Sequence, residues 1–416
     1  MVSGPQGPRV VVDGKPTLVL CSTNYLGLAD HPRVREAAAE AAMRWGAGAA
    51  ATRLASGTMT IHRRLEERLA AFLQRSSTLL FGSGYLATVG TIAALARPGD
   101  VVFSDEHSHG AIVDGCRLSG AEVFTYDHLD PDHLRWGIAK AERRGALILT
   151  ESVFALDGDV APLREIVELG KRHRLRVVVD EGHAIGVFGP GGRGAAAELG
   201  VEDQVDVIVG TLGHALGSYG GFVACQPETA EYLLNAARPL RLSTAPPPSA
   251  AAAALAALAL LEQRPELVLR LQSNAALLRA ELEGHGFHFD LVQTAILSIL
   301  IGHPGLANEI CETALRRGVL IDATCPPLVP GAGSRVRCAV MACHRADELR
   351  EAADALVGAI RAAGLEPGAE RADGPAELDP HEFEEPSFIE ASRATRPPPS
   401  HGRQIFDVEE VDRLAA

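Results

Sequence analysis

The chain lacks most of the features that assign a protein to a class at a glance. It has no Cys-x-x-Cys pair. Its seven cysteines (21, 116, 225, 311, 325, 338 and 343) are odd in number and scattered, which reads as reduced thiols rather than a disulfide framework. Cys338, Cys343 and His344 lie close together, but two thiols and one imidazole make a poor zinc site, so no metal is expected. No apolar run reaches the ~20 residues that span a bilayer. The longest, residues 250–261, is followed by Glu262 and Arg264 and reads as a buried core helix. The opening Met-Val-Ser-Gly-Pro-Gln-Gly-Pro has no apolar secretory core, so a cytoplasmic protein without membrane contact is expected. Positive charge is in short supply. The 39 Lys+Arg face 53 Asp+Glu for a formal charge of -14, which argues against nucleic-acid binding through phosphate neutralisation. Lysine is the scarcest charged residue, with three copies at 15, 140 and 171.

What is present is chain enough for two or three domains and a regular alternation of pattern. Short apolar runs at 78–81, 100–103, 122–126, 146–150, 176–180 and 205–210 are separated by helix-length amphipathic stretches such as 132–143 and 163–173. That alternation predicts an α/β fold, a mostly parallel sheet with helices on both faces. Ligands of such sheets sit at the carboxyl ends of the strands. Here those ends carry Gly82-Ser83-Gly84-Tyr85, residues 105–109, Glu151, residues 180–183 and residues 211–214. Pro246-Pro247-Pro248 opens an Ala/Leu-rich helix, after which helices near 265–285, 305–317 and 345–363 and strands near 291–302, 318–322 and 335–341 suggest a smaller α+β domain. The expected division is an N-terminal segment 1–45, a large domain 46–245, a small C-terminal domain 246–364 and an acidic flexible tail 365–416. The tail carries 13 Asp+Glu against 5 Arg; its segments 381–389 and 404–414 could fold on a partner.

Individually the polar groups are weak signals. Asp180, directly after Val177-Val178-Val179, suits a protonated heterocyclic nitrogen, though a strand-end Asp often caps its own turn. Ser83-Gly84-Tyr85 before a helix offers backbone N–H groups to a phosphate. Together they are stronger. Asn24-Tyr25-Leu26-Gly27-Leu28, Thr52-Arg53-Leu54-Ala55-Ser56-Gly57-Thr58, Ser108-His109, Glu151-Ser152-Val153-Phe154 with Asp157-Gly158-Asp159, and Asp180-Glu181-Gly182-His183 fall in one order. Gly192-Arg193-Gly194, Thr211-Leu212-Gly213, Ser243-Thr244 and Arg335-Val336-Arg337 continue it. Over roughly 18–362 the chain resembles the α-oxoamine synthases, fold-type-I enzymes of pyridoxal 5'-phosphate (PLP).

The resemblance implies a fold-type-I transferase and a homodimer that joins an amino acid to an acyl-CoA or acyl-carrier thioester. By position, His109 resembles the imidazole that stacks on the pyridine ring, Asp180 the partner of its nitrogen and His183 the partner of its phenolic oxygen. Ser83, Gly84, Tyr85 and Thr211 resemble the phosphate cradle, with Ser243 and Thr244 reaching it from the other subunit, and Glu151 lies in the same site. Asn24 and Arg335 resemble the groups that orient the substrate carboxylate.

One departure dominates. The family's Schiff-base lysine, three residues after that Thr, is here His214. An imidazole forms no stable internal aldimine, so PLP is expected to be held non-covalently or as its external aldimine. His214 keeps the capacity to move a proton near neutrality. Three alternatives accompany the acyltransferase reading: a catalytically silent member, as scaffold or heterodimer partner of a lysine-bearing homologue; a lysine-to-histidine trapped variant; and a retro-aldol enzyme on the same scaffold. Further departures are Thr88 for the family's usual Asn, Ala155 for Ser, and Cys325 where some members carry Arg.

Overall fold

The computed structural model describes residues 1–141, 144–289 and 294–366. The chain opens on three strands, β1 (Val2–Ser3), β2 (Arg9–Val12) and β3 (Lys15–Val19), which pair antiparallel in that order. Helix α1 (Pro32–Trp45) begins on a Pro at its first turn, with the His31 side chain accepting from the Arg33 N–H. Helix α2 (Thr60–Phe72) turns Ile61, Leu65, Leu69 and Phe72 inward at helical spacing.

The main layer follows. Strand β4 (Ser77–Phe81) leads to α3 (Gly84–Leu95), β5 (Val101–Asp105) to α4 (Gly110–Ser119), β6 (Glu122–Tyr126) to α5 (Pro131–Lys140), and β7 (Gly145–Glu151) to α6 (Leu163–His173). Then come β8 (Arg176–Asp180), a short α7 (Ala195–Glu198), β9 (Val207–Thr211) and β10 (Gly221–Cys225). The seven strands lie in the order β4-β10-β9-β8-β7-β5-β6. All pairs are parallel except those of β10, which runs antiparallel to both β4 and β9. Strands β5 and β10 are buried throughout and β7, β8 and β9 nearly so, as a sheet covered by helices on both faces requires. The carboxyl ends of β5, β7, β8 and β9 therefore open on one edge, together with the loop from β4 to α3.

Helices α8 (Pro227–Ala236) and α9 (Arg238–Leu242) lead to α10 (Pro248–Gln263) and α11 (Glu266–Gly284). Ala251, Ala254, Ala257, Leu258 and Leu261 of α10 are buried in the same core as α1, α2 and the large sheet. No helix among the described residues is long and apolar enough to cross a membrane. The rest is β11 (Ile296–Leu300), α12 (Pro304–Arg316), β12 (Val319–Leu320), β13 (Asp322–Thr324), β14 (Arg335–Ala339) and α13 (Ala346–Ala362). β11, β14 and β13 form an antiparallel sheet, whereas β12 joins β3 in parallel. A second core gathers Ala275, Leu278 and Leu282 of α11 with Leu18, Leu20, Ile310, Val336, Leu349 and Leu356. The line between the two cores thus runs through α11 rather than at 246, and β3 packs with the C-terminal elements. The acidic tail beyond 366, with its segments 381–389 and 404–414, lies outside the described residues.

Candidate active site

Asp180 ends β8, and both of its oxygens are engaged. Oδ1 accepts from the Gly182 N–H at 2.8 Å and so caps its own turn, while Oδ2 accepts from the Thr88 hydroxyl at 3.0 Å. Thr88 is buried in α3, so a helix on one side and a turn on the other hold the carboxylate in place. Glu151 stands beside it across the β7–β8 ladder. Burial, helped by the neighbouring Asp180, pushes the Glu151 carboxyl up to about 8. Its oxygens accept from the N–H groups of His109 (2.8 Å) and Ala155 (3.3 Å). His109 is exposed at the start of α4 and its Nδ1 accepts from Ala111, which leaves the ring's proton on Nε2.

Two imidazoles fill the centre. The rings of His183 and His214 lie 4.5 Å apart, tilted by 36°, and Tyr25 meets both edge-on at 6.1 and 6.2 Å. The Tyr25 hydroxyl is 2.8 Å from His183 Nδ1. His214 Nδ1 is 2.7 Å from the Gly182 carbonyl oxygen, which can only accept. The His214 proton therefore sits on Nδ1 and Nε2 keeps a lone pair. Burial lowers the pKa of His214, against the opposing pull of the Gly182 bond, and takes His183 well below its ordinary value, so both are neutral bases at pH 7. Burial pushes the Tyr25 phenol up to about 12, which keeps it a donor.

The guanidinium that faces this cluster belongs to Arg337. Its charge bears on Tyr25, His183 and His214 and it also reaches the Tyr25 hydroxyl, while its Nε and Nη2 are buried without a hydrogen-bond partner among the described residues. Such groups are strongly disfavoured unless a ligand meets them. Arg335, the sequence-based choice, is committed elsewhere: it pairs with Asp157 and donates from Nε to the Gly333 carbonyl at 2.8 Å. The two arginines lie on one face of β14, two residues apart, and periodicity alone does not separate them. Asn24 is likewise drawn into the backbone. Its amide donates to Gln6 O (3.0 Å) and accepts from Ala29 N (3.2 Å), which shapes the 24–29 turn.

At the other end of the site, Ser83 caps α3 by accepting from Leu86 N, and this leaves the first helical N–H groups, of Gly84 and Tyr85, to an outside acceptor. A Cβ on Gly84 would stand 3.0 Å from the Thr211 Cβ, so only glycine lets this helix end meet Thr211 so closely. The Thr211 hydroxyl donates to Gly220 O and accepts from Gly213 N. Ser243 and Thr244 are not brought to this end: Thr244 bridges to Thr52. The three lysines are exposed, on β3, α5 and α6. A helix N-terminus for a phosphate, a fixed carboxylate for a ring nitrogen, and a guanidinium with two open donors beside neutral bases fit PLP and an amino-acid carboxylate.

The profile of aminotransferase class I and II matches residues 15–356. An 8-amino-7-oxononanoate synthase of Citrifermentans bemidjiense is 42% identical over 356 residues, covering 85% of this chain and 91% of the relative. One from Anaeromyxobacter dehalogenans is 45% identical over 347 residues, covering 83% and 87%. Among solved structures, a serine palmitoyltransferase from S. paucimobilis with a bound PLP–myriocin aldimine superposes with a TM-score of 0.84 at 32% identity, covering 88% of this chain and 93% of that one.

Proposed function

This chain belongs to the aminotransferase class I and II family, in its PLP-dependent α-oxoamine synthase branch, and from that premise we propose that it joins an amino acid to an acyl thioester with His214 as the base at the α-carbon. Bound PLP supplies an electron sink for negative charge at that carbon. The chain does the rest. The N–H groups of Gly84 and Tyr85, with Ser83 and Thr211, hold the phosphate. Asp180, steadied by Thr88, faces the ring nitrogen, His183 the phenolic oxygen and His109 the ring face. Glu151 fixes the backbone of His109. Arg337 takes the amino-acid carboxylate in its open fork.

With the substrate so oriented, His214 Nε2 removes the α-proton. The Nδ1–H bond to Gly182 O keeps that lone pair in place and stabilises the charge as it forms. The α-carbon then bonds to the thioester carbonyl carbon, the C–S bond breaks, and the thiolate leaves as a thiol with the proton that His214 had taken. The observation that carries the reading is a neutral His214, fixed in tautomer, beside an Arg337 whose Nε and Nη2 are buried without a partner among the described residues. The active unit is a homodimer, with Ser243 and Thr244 reaching the site of the second copy.

The test is a PLP titration followed by absorbance, repeated with small amino acids. Saturable PLP binding, a further amino-acid-dependent change, and no covalent adduct after borohydride reduction are expected. His214→Lys should restore the covalent link. The exposure of all three lysines favours a second reading, a silent subunit paired with a lysine-bearing homologue. That reading requires no spectral response to any amino acid and co-purification with such a homologue.

A further inference from the structure

The turn Asp157-Gly158-Asp159 touches none of the groups given a role above, yet it is held from three sides. On the first, Asp157 pairs with Arg335 at the start of β14. On the second, the Gly158 backbone lies directly on the segment entering β11, the strand beside β14. A Cβ there would stand 2.4 Å from Thr294 Oγ1 and 2.9 Å from Ile296 O, and its φ of +78° also favours glycine.

On the third side stands His128. Its Nδ1 is 2.7 Å from Asp105 Oδ1 and its Nε2 is 3.3 Å from Asp159 Oδ2, so a carboxylate occupies each end of the ring. Asp105 closes β5 and is fixed in turn by the N–H groups of His107 (2.8 Å) and Leu129 (3.0 Å). His107 stacks on His128 at 4.0 Å, and Phe154 meets it edge-on at 4.6 Å. The far end of this chain of contacts is therefore the sheet edge that carries His109, four residues after Asp105. The root of the turn is Glu151, which holds the His109 N–H.

We infer that the Asp157-Gly158-Asp159 turn is a clamp that sets the position of Arg337 against the large sheet, with Arg335 and His128 as its two positioning residues. The inference rests on the reading that Arg337 receives the amino-acid carboxylate. Residues 335 and 337 share one face of a strand and stand roughly 7 Å apart at the usual rise per residue. Pinning the first guanidinium fixes where the second emerges. Arg335 holds the clamp from the β14 side and His128 from the sheet side, and they share the turn with no hydrogen bond or ion pair between them. Loss of either end frees the same element, so the two losses should not add.

The full-length, PLP-loaded protein is titrated with L-alanine and with L-alaninamide, and cofactor absorbance gives both affinities. Wild type should prefer the carboxylate, and Arg337→Gln should erase that preference. Arg335→Gln and His128→Gln should each reduce it about tenfold, within the usual range of coupling between sites, and the double variant no further. Arg335→Lys should retain most of it. Independently of any ligand, His128→Gln should speed hydrogen exchange in β14 (Arg335–Ala339), which it does not touch. A carboxylate preference that survives both single variants, or losses that simply multiply, would overturn the clamp while leaving the role of Arg337 intact. Wild type without any preference would refute the carboxylate reading, and the clamp with it.

Discussion

Carrying the protein from about pH 6 to about pH 10 should remove one identifiable piece of its stability, the charge on His128. Burial opposes that charge, but hydrogen bonds to Asp105 and Asp159 overcome it and raise the pKa from 6.5 to about 9. The side chain is only 16% exposed, so solvent screens these bonds little. A folded-state pKa above the unfolded one means that the contribution is complete below about 6.5 and fades as the pH rises through about 9. At about 1.4 kcal/mol per unit, the shift corresponds to about 3 kcal/mol. Urea unfolding of wild type and His128→Gln at several pH values measures it, because other groups titrating in the range are common to both proteins. The gap between the two should be about 3 kcal/mol near pH 6 and close mostly by about pH 10. A gap that stays constant with pH would show that His128 acts by packing alone.

Other substitutions probe the remaining parts. Arg337→Met should leave the urea midpoint of the unliganded protein unchanged or raise it by up to about 1 kcal/mol, because it removes two buried donors without a partner at the cost of one contact to Tyr25, while amino-acid binding is lost. Thr88→Val should weaken PLP binding about fivefold, as loss of one ordinary hydrogen bond predicts, with little change in the far-ultraviolet dichroism. Gly158→Ala should destabilise the fold by about 2–4 kcal/mol in the same urea assay, since both its positive φ and its contact with Ile296 O resist a methyl group.

Much of the architecture was legible because it rests on local pattern. The runs at 122–126 and 176–180 are strands over those same residues, and 163–173 is a helix from end to end. Strand β10 (Gly221–Cys225) went unread. It is buried at every position, shows no alternation, and begins on the second residue of a glycine pair that reads as loop. In the site, motif order pointed to Asp180, His183 and His214, whose neighbours in sequence also build the turn that aims them. Arg337 was not separable from Arg335, because both face the same way and only the position of Asp157, nearly 180 residues earlier, assigns one to the clamp. Nor did the sequence point to His128, and it marked Thr88 only as a departure from the family's usual Asn, not as a partner of Asp180. Each depends on a partner brought from another strand or helix, and neither lies in a motif that demands it.

The central claim is the proposal that His214 moves the α-proton. It is tested most directly by proton NMR of a small amino acid in D2O with the PLP-loaded protein and no thioester present. The account predicts loss of the α-proton signal with wild type, retention of exchange in His214→Lys, and none in His214→Ala despite unchanged PLP affinity. Equal exchange in wild type and His214→Ala, or an unexchanged α-proton in wild type with PLP and amino acid both bound, would contradict it.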